Sequence, residues 1–198
     1  MSIKFVNKDQ IWFTSDTHFG HHNIMKYCNR NFKNVDHMDQ EMIKNWNSKV
    51  GVNDIVFHLG DFCFGDILEW EKIRYQLNGT IYFIRGNHDK FQNGQISHLF
   101  KDIFDLVEIK VKDDEAERGW QNIVLCHYSM RVWNRSHHGS WHLWGHSHGT
   151  LPDDPNSLSF DVGVDSHNYA PISYKEVKKI MSLKTFEPID HHGKTKDE

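Results

Sequence analysis

Five stretches of the chain share one layout, an apolar run followed at once by Asp, His or Asn. They read IWFTSDTHFG, IVFHLGDFCFG, IYFIRGNHDK, NIVLCHYS and WHLWGHSHG. The polar residues they deliver are Asp16, His18, Asp61, Asn87, His88, His127, His146 and His148. This is ligand chemistry for divalent metals: imidazole suits Zn, Fe and Ni, while carboxylate and amide oxygens suit Mg and Mn. No cysteine is needed, which argues against a structural thiolate zinc site. Two metals about 3.5–4 Å apart require a shared ligand. A carboxylate such as Asp61 can bridge with its two oxygens, and an imidazole cannot.

Taken singly, each stretch has a plainer explanation. GNHD is ordinary turn chemistry, and WHLWGHSHG would pass for a surface loop carrying spare histidines. Together they need one place to meet. In open α/β sheets ligands bind beyond the carboxyl ends of strands, so five strand ends would converge on one rim. The one-residue spacings D-x-H and H-x-H suit an extended backbone, in which residues i and i+2 point the same way.

The elements that must position these groups follow from periodicity. Ile11–Ser15, Asp54–Leu59 and Thr80–Ile84 read as short apolar strands. Val35, Met38, Met42, Ile43, Trp46 and Val50 recur at three- and four-residue steps, which predicts an amphipathic helix over about 35–50. Asp66–Leu77 is a second helix, stopped by Asn78-Gly79. Residues 104–111 alternate like a half-exposed strand, 113–119 form a charged loop, and strands are expected near 121–126, 141–144 and 158–164. A helix over 173–182 closes the pattern. The first half is β-α-β-α-β and the second mostly strands, which predicts sheets covered by helices. The chain of 198 residues reads as one domain over 1–186 with a polar tail over 187–198.

Composition excludes several classes. No apolar run approaches the roughly 18 residues of a membrane span, and the N-terminus lacks a secretory apolar stretch. Three scattered cysteines do not make a disulfide framework, so a cytoplasmic setting is expected. A net charge of −4 argues against a surface built for long duplex DNA. It leaves room for a small phosphoester or nucleotide, or a nucleic-acid end, because bound cations reverse the local sign.

In order along the chain, Asp16-Thr17-His18, Gly60-Asp61, Gly86-Asn87-His88-Asp89, His127 and Gly145-His146-Ser147-His148 resemble the motif series of the calcineurin-like metallophosphoesterases. The match spans roughly 11–150. SDTHFGHHNI, HLGDFCFG, CHYSMRVW and VGVDSHNYAPIS further resemble small stand-alone members from bacteria and phages. The resemblance implies an α/β fold, a four-layer α/β/β/α sandwich with its site at the rim between two sheets. It implies a metal-dependent phosphohydrolase, a phosphodiesterase first, with a phosphomonoesterase or single-strand nuclease as alternatives. A non-catalytic interaction scaffold of the same fold is the rival from another class.

Carried over position by position, Asp16, His18, Asp61 and His148 would hold one divalent ion, and Asp61, Asn87, His127 and His146 the other. Mn, Fe, Zn, Ni and Mg all tolerate such ligands. A hydroxide bridging the ions would attack phosphorus in line, and His88 would protonate the leaving oxygen as general acid. His21, Arg30 and Arg85 are the substrate-side candidates, with guanidinium suited to phosphate oxygens. His137, His138 and His167 are expected at the cleft or its edge.

The chain departs from relatives that act on phosphoprotein. Where those carry an aspartate that orients the acid histidine, Phe64 stands here. Asp66 or a backbone carbonyl is expected to substitute. No tyrosine replaces His18, so no ferric-tyrosinate colour is expected. Other residues read as structural: His58 as a hydrogen-bonded core residue, Cys63 and Cys126 as inert thiols, Trp12, Trp46 and Trp70 as core. Trp133, Trp141 and Trp144 are expected to pack rather than stack on a base. His37, His98, His191 and His192 are expected at the surface.

Overall fold

The apolar runs that end in polar clusters all fold as strands in a computed structural model that describes residues 3–189. The strands are β1 (Ile3–Phe5), β2 (Ile11–Thr14), β3 (Ile55–His58), β4 (Thr80–Ile84), β5 (Asp102–Phe104), β6 (Leu106–Lys112), β7 (Trp120–Cys126), β8 (Trp141–Trp144), β9 (Ser159–Asp161) and β10 (Ile172–Ser173). The helices are α1 (Ile24–Tyr27), α2 (Val35–Lys49), α3 (Ile67–Arg74), α4 (Asn93–Ile96) and α5 (Tyr174–Met181). From residue 190 onward the expected tail, with His191 and His192, lies outside the described residues.

Two five-stranded sheets result, ordered β10-β2-β3-β4-β5 and β1-β6-β7-β8-β9. In the first, β2 to β5 run parallel and β10 joins antiparallel. In the second, only the β6–β7 pair is antiparallel. The parallel runs β2-β3-β4 and β7-β8-β9 each end their strands on one side. That is why Asp16, Asp61, Asn87, His127 and His146 share a rim.

The inner strands of the first sheet, β2, β3 and β4, are largely apolar because both of their faces are mostly buried. Val56, Ile81 and Phe83 face Met38, Met42 and Trp46 of α2 and Trp70 and Ile73 of α3. Their neighbours Phe57 and Ile84 face the second sheet, in a core shared with Ile109, Ile123, Leu125 and Leu143. Trp141 belongs to this inter-sheet core and stacks on Tyr174 of α5, with centroids 5.5 Å apart. The α/β architecture of two packed sheets flanked by helices is thus the expected one. Over the outer face of the second sheet lies the β7–β8 connection, including the 3-10 turn Ser136–His138. There Trp133 packs on His142, and Asn134 bonds Glu108 at 3.0 Å.

Helix starts carry their caps in the sequence. The Asn34 side chain accepts from His37 N, Asp66 from Leu68 N and Glu69 N, and Ser173 and Glu176 form a reciprocal box. His58 is a core histidine as expected. It bonds Thr17 Oγ1 at 3.0 Å and Gly60 N at 3.3 Å, and burial pushes its pKa down to about 3.

Asp113, after β6, ties three distant pieces together. It accepts from Lys178 Nζ at 2.6 Å, Tyr174 Oη at 2.8 Å and Lys8 Nζ at 2.9 Å. Burial alone would raise its pKa, but these donors hold the carboxyl well below the usual range. A folded-state pKa below the unfolded one contributes stability above about pH 4, and that contribution fades as pH falls further. Asp113→Asn is therefore expected to cost about 2–3 kcal/mol at pH 7. Urea unfolding should show a smaller gap between variant and wild type at pH 3 than at pH 7.

Candidate metal centre

The backbone at the rim is not extended strand. β2 ends at Thr14 and β8 at Trp144, and the polar residues beyond them turn back sharply. Asp16, His18, Asp61, His146 and His148 all take positive φ, at 57°, 49°, 55°, 70° and 49°. This corrects the extended reading of the D-x-H and H-x-H spacings: left-handed residues alternate with ordinary ones and bring both side chains inward. Each such residue costs about 1–3 kcal/mol and persists only where its surroundings enforce it, typically at functional sites. The enforcement is visible. Asp16 N donates to Gly60 O, His18 N to Asp61 O and Phe19 N to Phe62 O, each at 3.0 Å.

Glycines make the close approach possible. A Cβ on Gly86 would sit 2.2 Å from Asp61 Oδ1, and one on Gly145 would sit 2.0 Å from Ser15 Oγ. Gly86 is not in the left-handed region, so it serves by lacking a side chain rather than by a sharp turn.

The eight groups at the strand ends do converge. Asp61 Oδ2 lies 3.5 Å from His18 Nε2 and 3.6 Å from His127 Nε2, between the two halves of the cluster. On one side are Asp16, His18 and His148, whose ligand atoms lie within 4.8 Å of one another. On the other, His127 Nε2 and His146 Nδ1 each approach Asn87 Oδ1 at 2.9 Å.

Several of these atoms lack a protein partner for their lone pairs. Asp16 Oδ1 and His18 Nε2 are buried with no hydrogen bond among the described residues. His127 Nδ1 sits 2.7 Å from Leu59 O, which can only accept, so its proton is there and Nε2 presents a lone pair to another acceptor. Orphaned acceptors facing one another in a buried site fit cations.

Electrostatics agree. Burial, with the nearby Asp161 and Asp61, pushes the Asp16 carboxyl up to about 8 despite His148. Burial pushes His18 and His127 down, toward the neutral form that ligates metal.

A second ring of groups orients the first. The Asp89 carboxylate accepts from Asp61 N at 2.7 Å, Gly86 N at 2.7 Å and Phe62 N at 3.1 Å, fastening β3's end to β4's. Asp165 Oδ2 bonds His148 Nδ1 at 2.7 Å, which turns Nε2 toward the centre. Burial works against a charged His148, but the Asp165 bond raises it to about 10, so a cation taking Nε2 displaces a proton. Asp165 escaped the sequence reading. It too follows an apolar run, FDVGVDSH, in the layout of the five recognised stretches.

The substrate-side candidates fare unevenly. Arg30 is buried, 3% exposed. It donates to both Asp165 oxygens at 2.8 Å, to Asp16 O at 2.7 Å and to Thr17 O at 2.9 Å. It therefore braces the centre from behind and does not face substrate. Arg85 is committed to the loop after GNHD, donating to Asp89 O and Phe91 O, with Asp105 3.6 Å away. His21 does sit at the rim, its Nδ1 3.3 Å from His18 Nδ1 and its ring stacked on Phe64 at 3.8 Å. His137 and His138 lie on the 3-10 turn over the second sheet's outer face, away from the centre. His167 bonds Asp161 O at 2.8 Å.

His88 is exposed at the mouth, its backbone N–H donating to Asp61 Oδ1 at 2.8 Å. No described residue hydrogen-bonds its ring, which lies against Phe64 and His18 with centroids 5.7 and 5.5 Å away. Asp66 does not substitute for the missing aspartate, because its carboxylate caps α3. Cys63 is buried and its thiol is pushed up by burial, as expected of an inert cysteine.

Asp165→Asn should weaken divalent-metal affinity about 10–100-fold by titration calorimetry. It should also lower stability by about 3–5 kcal/mol, since Arg30 loses its counter-charge. Unchanged affinity would remove Asp165 from the centre.

The family described as calcineurin-like phosphoesterase matches residues 10–182. An uncharacterized protein of Methanocaldococcus jannaschii is 35% identical over 179 residues, covering 87% of this chain and 91% of that one. The gene 66 protein of Mycobacterium phage L5 is 38% identical over 182 residues, covering 78% and 86% respectively. That of Mycobacterium phage D29 is 26% identical over 197 residues, covering 87% and 96%. Among solved structures, a protein of unknown function from Aquifex aeolicus superposes with a TM-score of 0.63 at 24% identity, over 86% of this chain and 98% of that one. That likeness concerns the fold alone.

Proposed function

This chain belongs to the calcineurin-like phosphoesterase family, whose chemistry is metal-dependent phosphoester hydrolysis, and from that premise we propose that it cleaves phosphodiesters at a centre for two divalent cations. The position of Asp61 carries the reading. One of its oxygens lies within 3.6 Å of a lone-pair nitrogen in each half of the cluster, where a bridging carboxylate belongs. Asp16, His18, Asp61 and His148 would hold one cation, and Asp61, Asn87, His127 and His146 the other. Bound there, the cations would supply an ionised water and neutralise charge on the phosphoryl oxygens.

The chain's own residues do the rest. His88 stands at the mouth and gives its proton to the leaving oxygen as the bond from phosphorus breaks. Its backbone bond to Asp61 sets the distance between acid and centre. His21 and Phe64 wall the rim on the side of His18. The exposure of Asn87 and His88 supports an open cleft, suited to a nucleotide or a nucleic-acid end with a substituent on each side of phosphorus. Among the described residues no helix is long and apolar enough to cross a membrane.

Protein purified without chelators should carry two divalent ions per chain by elemental analysis. It should hydrolyse bis-p-nitrophenyl phosphate in preference to p-nitrophenyl phosphate. One ion per chain would end the dinuclear reading, and the reverse preference would make it a monoesterase. Metal-loaded protein inert on a broad phosphoester panel would point to the scaffold role.

A further inference from the structure

Beside His88 the surface opens into a cavity of about 210 Å³. Cys63 and Trp70, 6% and 1% exposed, form its floor, and Phe64, Phe91, His88 and Lys90 surround the mouth. The walls are mostly aromatic: Trp70 meets Phe91 edge-on at 5.3 Å, and Phe64 lies 5.7 Å from His88. The indole Nε1 of Trp70 is a buried donor with no partner among the described residues. A buried orphan donor is uncommon.

The size decides the occupant. Ligand pockets for whole small molecules run to about 300–1,000 Å³, so this one admits a single flat ring system. Aromatic walls and one exposed ammonium suit a flat heteroaromatic ring that stacks.

We propose that this cavity receives the nucleobase of the leaving nucleoside, making the preferred substrate a phosphodiester whose departing alcohol belongs to a nucleotide. The inference rests on the reading above, since it places the leaving group on the side of the acid. Water adds to phosphorus, the bond from phosphorus to the sugar oxygen breaks, and the proton of His88 goes to that oxygen. The base in its cavity fixes where that oxygen lies relative to the imidazole. This gives His88 an orientation that no carboxylate among the described residues supplies.

The test compares a dinucleotide with its two analogues in which one base is replaced by an abasic tetrahydrofuran. Loss of the leaving-side base should lower kcat/KM about 5- to 150-fold, the range of base-on-aromatic stacking. In Phe91→Ala, and in Phe91→Leu, which keeps apolar bulk without a ring, that ratio should approach one. Wild-type values within twofold for all three substrates overturn the proposal. If no phosphoester is cleaved, the proposed function fails and saturation-transfer NMR with free adenosine judges the cavity separately. Signals present in wild type and lost in Phe91→Leu support it, and their absence in wild type overturns it.

Discussion

His88→Ala lowers kcat about 10²–10⁴-fold while leaving the metal content at the wild-type value. The backbone explains why the two effects separate. The link from position 88 to the centre is its main-chain N–H, which donates to Asp61 Oδ1 and survives the substitution. Only the exposed imidazole is removed. The loss should also depend on the leaving group. An alkoxide needs the proton far more than p-nitrophenolate does, so the variant should be hit harder on a dinucleotide than on bis-p-nitrophenyl phosphate. Elemental analysis with kinetics on both substrates checks this. Metal loss equal to that of an Asp61 variant would mean that His88 is a ligand rather than an acid.

Asp61→Ala is expected to lose metal as well as activity, with turnover down about 10³-fold or more. Its Oδ2 lies 3.5 Å from His18 Nε2 in one half of the cluster and 3.6 Å from His127 Nε2 in the other. Removing it also removes a negative charge that helps to raise the pKa values of Asp16 and Asp89. The metal-free variant should therefore unfold no more easily than the metal-free wild type. The difference appears on adding metal. A cation at about 100 times its dissociation constant stabilises the folded wild type by about 2.7 kcal/mol, or roughly 5–10 °C in Tm for a chain of this size. Asp61→Ala should show little of that shift in differential scanning calorimetry. A full shift in the variant would place the cations elsewhere.

Both variants test side chains that could be picked out from the sequence, and the reason is local. Each proposed ligand follows an apolar run short enough to be a strand. Strands buried on both faces read as unbroken apolar text, as in Ile55–His58 and Thr80–Ile84. Helices α2, α3 and α5 were legible because their apolar spacing and their caps lie within a few residues of each other. The elements that escaped are too short to show a period: β1 with 3 residues, β10 with 2, the single turns α1 and α4 with 4 each, and β5 with 3, which splits off from the single strand expected over 104–111 and joins the other sheet.

What the sequence by itself determined is the inventory and its order: which strands end in Asp, His and Asn, and so which family of chemistry the chain carries. Tertiary structure alone decided how those groups aim. Arg30 read as a substrate-side candidate because a guanidinium suits phosphate oxygens. Its actual partner, Asp165, lies 135 residues away. Asp89 grips β3's end from 28 residues on, and Leu59 O sets the tautomer of His127 across 68. The left-handed turns at Asp16, His18, Asp61, His146 and His148 have the same origin. Asp and His adopt a positive φ more readily than most side chains, but the conformation is still unfavourable at each and is not set by local sequence alone. They hold that shape because main-chain hydrogen bonds between neighbouring strand ends require it, and those bonds exist only once the sheets have assembled.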